Sequence, residues 1–237
     1  MIPKILHYVW VGGNEKPKNI KRCMKTWKKY LKGWKIIEWN EKNFDINSHP
    51  FVKEAYRNKQ WAFVSDYIRA YVVYNYGGVY FDTDVIMVDN IDECLENRAF
   101  VGYETPDYPF TAVFGAEKGH PFIKDILDYY ENLNIEYKHS DNNTLSVSNI
   151  LINKYNCKLG NKSQMLKENI RVYPNTILCA PSEESKTIHV FTATWNQKAL
   201  KLKHRVAISM LCRCDKKWKI KIYLNLLKIN RKIRIFK

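Results

Sequence analysis

The sequence predicts an α/β domain in which helices pack on a mixed sheet. Strand-length apolar runs alternate with segments of helical spacing, glycine pairs punctuate the changes, and no long linker or internal repeat divides the chain. Taken in order, Lys4 to Val11 reads as a buried strand ending at Gly12-Gly13, and Pro17 opens an amphipathic helix to about Leu31. Trp34 to Trp39 is a second strand. Trp61 to Tyr76 repeats apolar residues at helical spacing and stops at Gly77-Gly78, which turns the chain into a strand at Val79 to Phe81. Further strands are predicted at Ala99 to Tyr103, Thr111 to Ala116 and Thr187 to Phe191, with a helix from Pro121 to about Leu133. Asn134 to Asn143 is polar and reads as a loop that does not separate two cores.

Composition narrows the function classes. The chain has 237 residues, 46% of them hydrophobic, enough to bury a full core in one domain. No stretch approaches the ~20 apolar residues of a membrane span, and the start MIPKILHYVWVGG lacks the layout of a secretion signal, so cytoplasmic residence is expected. Six scattered cysteines include one close pair, Cys212 and Cys214. A four-ligand zinc site needs a second pair, so free thiols are expected. The net charge of +15 is uneven: residues 1–185 carry 24 Lys and Arg against 23 Asp and Glu, whereas residues 186–237 carry 15 against Asp215 alone. A nearly neutral body argues against a nucleic-acid-binding core and assigns the positive charge to the tail.

The stretch GGVYFDTDVIMVDN, residues 77–90, sets Asp82 and Asp84 one residue apart within strand-forming apolar residues. On one strand they would share a face with Tyr80 and Ile86, a repulsive arrangement tolerated at an open strand end or around a cation. Asp66 and Arg69 lie three apart on the helix feeding that strand, as a helix-surface ion pair or as part of a site. Trp10, at the end of the first strand, fits either a core position or a ligand platform. Ligands of open α/β sheets bind beyond the strand carboxyl ends, where Trp10 and the acids would both lie.

The blocks IPKILHYVWVGG, WAFVSDYIRAYVVYNYGGVYFDTDV, FGAEKGHPF and TIHVFTATW, in that order over about residues 2–195, resemble the DXD-motif glycosyltransferases of family 32. That family includes bacterial capsule and lipopolysaccharide transferases and fungal mannosyltransferases, and is distantly similar to the glucosyltransferase domain of the large clostridial toxins. The resemblance implies a GT-A-like domain over residues 1–197 and a retaining transfer of a hexose or N-acetylhexosamine from a nucleotide diphosphate sugar, UDP-linked by preference. The acceptor it implies is a cell-surface polysaccharide, a lipopolysaccharide or a lipid-linked glycan precursor. It also implies roles for residues. Trp10 would stack on the base, Asp66 and Arg69 would contact donor sugar and phosphate, and Tyr80 would pack by the nucleotide. Asp82 and Asp84 would hold ribose and a divalent Mn²⁺ or Mg²⁺, with His189 as a further metal ligand and Trp195 closing over the diphosphate. Many relatives carry paired histidines, whereas here Val190 follows His189. Glu104 and Asp107 are either acceptor contacts or solvated loop acids. A non-catalytic sugar- or nucleotide-binding protein and a metal-dependent nucleotide-sugar hydrolase are the rival readings.

Residues 198–237 form a basic extension. Lys216 to Lys237 holds nine Lys or Arg and no acid, and Trp218, Ile222, Leu226, Ile229, Ile233 and Phe236 make one apolar stripe on a helix. Such a helix lies on an anionic membrane surface, placing the enzyme at the inner face of the cell membrane, or docks on the domain with its basic face solvated.

Overall fold

The computed structural model describes residues 1–133, 143–192 and 202–235, the last segment with side chains over 204–228. Strand β1 (Ile5–Val9) is followed by helix α1 (Lys18–Tyr30), β2 (Lys35–Trp39), α2 (Pro50–Arg57) and α3 (Trp61–Tyr76). Then come β3 (Gly78–Phe81), β4 (Val85–Met87), β5 (Ala99–Gly102), β6 (Val113–Ala116), α4 (Pro121–Glu131) and α5 (Asn143–Tyr155). The chain continues through β7 (Gln164–Leu166), β8 (Ile170–Tyr173), α6 (Asn175–Leu178), β9 (Thr187–His189), α7 (Leu202–Leu211) and α8 (Lys217–Ile235).

The main sheet is mixed and has the order β2-β1-β3-β6-β5-β8-β7. Strands β1, β2 and β3 run parallel, β6 is antiparallel to both β3 and β5, and β5 and β8 are parallel. Helices cover both faces, as predicted. One layer of core joins Val9, Val64, Ile68, Val72 and Tyr80 to α2, α4 and α5, and the other packs Trp27 of α1 on Leu6, Phe81 and Val85. A separate two-stranded sheet pairs β4 with β9.

The turn from α3 into β3 needs glycine. Gly77 and Gly78 have φ of 66° and 110°, and a Cβ at Gly78 would sit 2.6 Å from the Ile5 carbonyl oxygen. This close approach lets β3 lie directly beside β1. Beneath the turn, buried His7 donates from Nε2 to the Gly77 carbonyl at 2.9 Å and accepts at Nδ1 from Trp39 Nε1 at 3.0 Å. Burial pulls its imidazole down to about 4, with Lys35 adding to the lowering and the Gly77 bond opposing it.

Helices α2 and α4 share one start. In His49-Pro50-Phe51 and His120-Pro121-Phe122 the histidine Nδ1 accepts from the phenylalanine N–H while proline takes the first helical position. The predicted strand over Thr187–Phe191 is shorter, ending at His189, because Phe191 takes a left-handed φ of 55° that turns the chain out of the ladder. The predicted single strand through Asp82 and Asp84 is also corrected: it breaks between β3 and β4 at a turn in which the Val85 N–H donates to the Asp82 carbonyl at 3.1 Å. All six cysteines are free and buried.

The C-terminal helices rest on the small sheet. Leu211, Cys212, Cys214 and Ile220 pack with Ile86, Val88, Ile188 and Val190, and with Cys23 of α1. Helix α8 turns Ile220, Tyr223 and Leu224 toward the domain and leaves Trp218, Ile222 and Leu226 exposed on its other side. Of the remaining stripe positions, the side chains of Ile229 and Ile233 and the whole of Phe236 lie outside what the structure describes, as do residues 134–142 of the predicted loop, whose last residue, Asn143, instead opens α5.

Candidate functional site

Four segments meet where β3 ends. Helix α3 contributes Asp66 and Arg69, both buried, and the turn after β3 contributes Asp82 and Asp84. Strand β9 brings His189 beside Asp84 because Val85 pairs with His189 across the small sheet. The loop after β5 brings Glu104.

Because the chain turns between the two acids, they face different partners. Asp82 Oδ1 lies 3.0 Å from Arg69 Nη2 and accepts from the Tyr80 hydroxyl at 3.1 Å. Arg69 Nη2 also lies 3.1 Å from Asp66 Oδ1, and the guanidinium sits 4.8 Å from the centre of the Tyr80 ring. Ser65 and Asn143 take up its other N–H groups. Arg69 is thus the hub that neutralises two carboxylates, and buried Tyr80 forms the floor that supports them. Burial, reinforced by neighbouring Asp82, lifts the Asp66 carboxyl to about 7, while Arg69 opposes the rise.

Asp84 is held from the other side. Its Oδ2 accepts from the Thr192 backbone N–H at 2.8 Å and from the Thr192 hydroxyl at 3.0 Å, and its Oδ1 lies 3.2 Å from His189 Nε2. Burial alone would raise this carboxyl, but the charge and hydrogen bond of His189 and the two Thr192 donors hold it at about 2. Burial opposes the charged form of His189, and Asp84 overrides that, driving the imidazole well above its ordinary range, with the Cys179 side chain acting in the same direction. One ligand atom from each of Asp82, Asp84 and His189 lies within 4.8 Å of the others. His189 Nδ1 is buried without a hydrogen-bond partner among the described residues. Two carboxylates and an imidazole converging at this spacing are a donor set that fits Mn²⁺ or Mg²⁺, with further positions left to donor oxygens and water.

Of the other predicted residues, Glu104 lies near this centre. Glu104 accepts from the Thr144 hydroxyl, and its carboxyl is raised by burial, with Asp82 adding and His189 opposing, whereas Asp107 is exposed. Trp10 is half-buried at the end of β1, donating from Nε1 to the Asn14 carbonyl at 2.7 Å, with Lys16 Nζ 5.3 Å from its ring centre. Trp195 lies outside the described residues. Sequence reasoning missed Thr192, although it stands in the block TIHVFTATW, because nothing local marks a threonine whose partner is 108 residues away. It also missed Phe191, which is 48% exposed and lies 3.9 Å, centre to centre, from the His189 ring. A non-glycine residue held at positive φ beside a cluster of charged groups is strain of the kind found at ligand sites.

Residues 17–101 match the family model described as a glycosyltransferase sugar-binding region containing a DXD motif. This segment holds Asp66, Arg69, Tyr80 and both acids of the turn. Over 130 residues the chain is 28% identical to inositol phosphoceramide mannosyltransferase 3 of Schizosaccharomyces pombe, covering 53% of this chain and 36% of that protein. Over 158 residues it is 28% identical to an uncharacterised glycosyltransferase of Acanthamoeba polyphaga mimivirus, covering 62% of this chain and 61% of that one. The chain therefore spans less than two thirds of either relative. Among solved structures it is similar to a glycosyltransferase involved in the glycosylation of the major capsid of PBCV-1, with a TM-score of 0.50 and 12% identity, over 88% of this chain and 100% of that one. That likeness is one of fold, and it bears out the GT-A-like expectation. The family matches bear out the resemblance read from the sequence.

Proposed function

We propose that this chain, a family 32-like protein whose residues 17–101 form a DXD-type sugar-binding region, transfers a hexose or N-acetylhexosamine from a nucleotide diphosphate sugar to a cell-surface glycan or its lipid-linked precursor. The observation that carries the reading is the meeting of Asp82, Asp84 and His189 within 4.8 Å, backed by the buried Asp66–Arg69 pair. A bound Mn²⁺ or Mg²⁺ would supply Lewis-acid neutralisation of the charge that grows on a departing nucleotide diphosphate. The chain supplies the geometry. Arg69 fixes Asp82, Thr192 fixes Asp84, and β9 fixes His189, so the backbone of the site is set, while holding a cation there would require His189 to give up its proton and its contact with Asp84. Trp10 offers a half-buried indole face to the base at the end of β1.

Retention of anomeric configuration follows from the resemblance. Both acids of the turn are engaged by Arg69, Tyr80, Thr192 and His189, so neither is free as a covalent nucleophile, and attack from the leaving-group face through an oxocarbenium-like state is preferred. Glu104, which accepts from the Thr144 hydroxyl and lies close enough to the cluster to feel Asp82 and His189, is our candidate for orienting an acceptor hydroxyl. UDP is the donor nucleotide by resemblance, while the mannosyl activity named for the fission-yeast relative supports testing GDP-mannose beside it. We place the enzyme in the cytoplasm against the inner face of the cell membrane, with α8 as its contact.

A panel of UDP- and GDP-sugars screened for metal-dependent rise in melting temperature identifies the donor, and transfer to added glycan acceptors then tests turnover. Asp82→Asn and Asp84→Asn, like EDTA, should abolish transfer while the protein stays folded. Metal-independent transfer by the double variant would sink the assignment. Donor binding without turnover would favour the binding-protein rival, and hydrolysis without transfer the hydrolase.

A further inference from the structure

The charge division read from the sequence hides a second basic element. Residues 16–37, which include all of α1, carry nine Lys or Arg and no acid, leaving 15 Lys and Arg against 23 Asp and Glu in the rest of residues 1–185. The body is therefore an acidic domain with a cationic helix on it, and the positive charge does not belong to the tail alone. On α1, Lys18 and Lys25 are seven residues apart and share one outward face with Arg22 and Lys29 beside them, and Lys32 follows in the turn after the helix. Lys18, Lys25 and Lys32 are exposed and pair with no acid among the described residues.

This ridge adjoins the C-terminal helices. Cys23 of α1 packs with Leu211, Cys212 and Ile220, and Lys29 Nζ and the Tyr30 hydroxyl donate to the Asp215 carbonyl at 3.2 and 3.1 Å. Beyond the contact, α7 exposes Val206 and Met210, and α8 exposes Trp218, Ile222 and Leu226 at steps of four. On the other flank of α1, a cavity of about 350 Å³ is lined by Lys21, Lys25, Lys28, Trp27 and Ile36, with the Lys16–Glu38 ion pair on its wall. The exposed apolar side chains of α7 and α8, including a tryptophan, lie beside the unpaired cations of α1, whereas Lys217, Lys219 and Lys221 of α8 are themselves ion-paired, and the two together are complementary to a surface that offers both anionic headgroups and an acyl boundary.

We infer that α1 and the C-terminal helices form one platform that lies on an anionic bilayer surface, with the ridge of α1 contributing headgroup contacts that the tail does not. No described helix is long and apolar enough to cross a membrane, in keeping with surface attachment. The inference rests on the proposal that α8 contacts the membrane. The platform packs on the back of the β4–β9 sheet, so membrane attachment and the Asp84–His189 cluster share one rigid support.

The test is co-sedimentation of the full chain with phosphatidylcholine vesicles, with and without phosphatidylglycerol, at low and high salt. The chain should bind the anionic vesicles, more weakly in high salt, and leave the neutral ones. A cation at an anionic surface contributes about fivefold in affinity, so combined Lys18→Gln, Lys25→Gln and Lys32→Gln should weaken binding on the order of a hundredfold with an unchanged melting temperature. Wild-type binding by that variant, while Trp218→Ser with Ile222→Ser releases the protein, would overturn the role of α1 and leave the tail as sole anchor. Wild-type binding by both variants, or equal binding to neutral vesicles, would overturn the platform and the tail reading together. A dimer in solution that Trp218→Ser dissolves would assign the surface to a second copy of the chain and overturn the lipid assignment.

Discussion

Acid should weaken this protein through His7, the brace beneath the glycine turn that aims β3 and Asp82. The neutral ring uses both nitrogens, Nε2 donating to Gly77 and Nδ1 accepting from Trp39. A second proton would abolish the Trp39 bond and place a charge in the core, which is why burial holds the imidazole at about 4 against an ordinary 6.5. Above pH 6.5 neither the folded nor the unfolded chain protonates it, and it contributes no pH dependence. Between 6.5 and 4 the unfolded chain takes up a proton that the native state refuses, so stability falls as pH falls, and the loss is complete below about 4. At ~1.36 kcal/mol per pH unit the full effect is ~3 kcal/mol. Urea denaturation of the wild type and His7→Gln between pH 7.5 and 4 measures it, because other titrating groups cancel in the comparison. The wild type should be the more stable protein at neutral pH, and the gap should narrow by ~3 kcal/mol toward pH 4. Curves that run parallel would refute the assignment of a buried neutral imidazole.

Arg69→Met removes the cation that Asp66 and Asp82 share and should destabilise the fold by ~3–5 kcal/mol, with partial recovery in Asp66→Asn/Arg69→Met, as a double-mutant cycle in urea will show. Full stability of the single variant would show that the buried acids find other partners. Gly78→Ala places a Cβ against the Ile5 carbonyl at a strained φ and should lower stability by ~2–4 kcal/mol in the same assay, and an unchanged denaturation midpoint would mean that β1 and β3 are not locked together. Trp10→Ala should weaken donor binding by ~1–3 kcal/mol in titration calorimetry. If the variant instead loses folding stability at unchanged donor affinity, the indole is a packing residue.

The parts of this structure that were legible in sequence are those written by local chemistry. The glycine pair after Tyr76, the apolar spacing of α3 and the strand at Val79 all sit where the sequence places them because each depends on near neighbours in the chain. Helix α2 was missed although His49-Pro50-Phe51 spells the same start as the helix predicted at Pro121; its polar surroundings masked the signal. Asp66, Arg69, Asp82, Asp84 and His189 were named from motif blocks, and the structure brings them together. What the sequence misjudged was the path between the two acids, read as continuous strand. Strand periodicity alone does not reveal that Val85 leaves the main sheet to pair with a segment 104 residues further on. Thr192 stayed hidden for the same reason, since its value lies in the distant carboxylate it caps. The basic helix α1 was overlooked because acids elsewhere in the body balanced it in the count.

The pairing of β4 with β9 also orders events during synthesis. When Asp82 and Asp84 leave the ribosome, their carboxylates have neither His189 nor Thr192, and β4 is a short strand with no mate. At ~5–20 residues per second, the partner arrives about 5–20 seconds later. In that interval the main-sheet strands β1, β2, β3, β5 and β6 can already assemble, so the ligand cluster is among the last parts of the molecule to take shape. A chain interrupted before residue 187 would carry the whole DXD stretch and yet lack the strand that positions its second acid. Unfinished copies therefore lack the assembled Asp82–Asp84–His189 cluster.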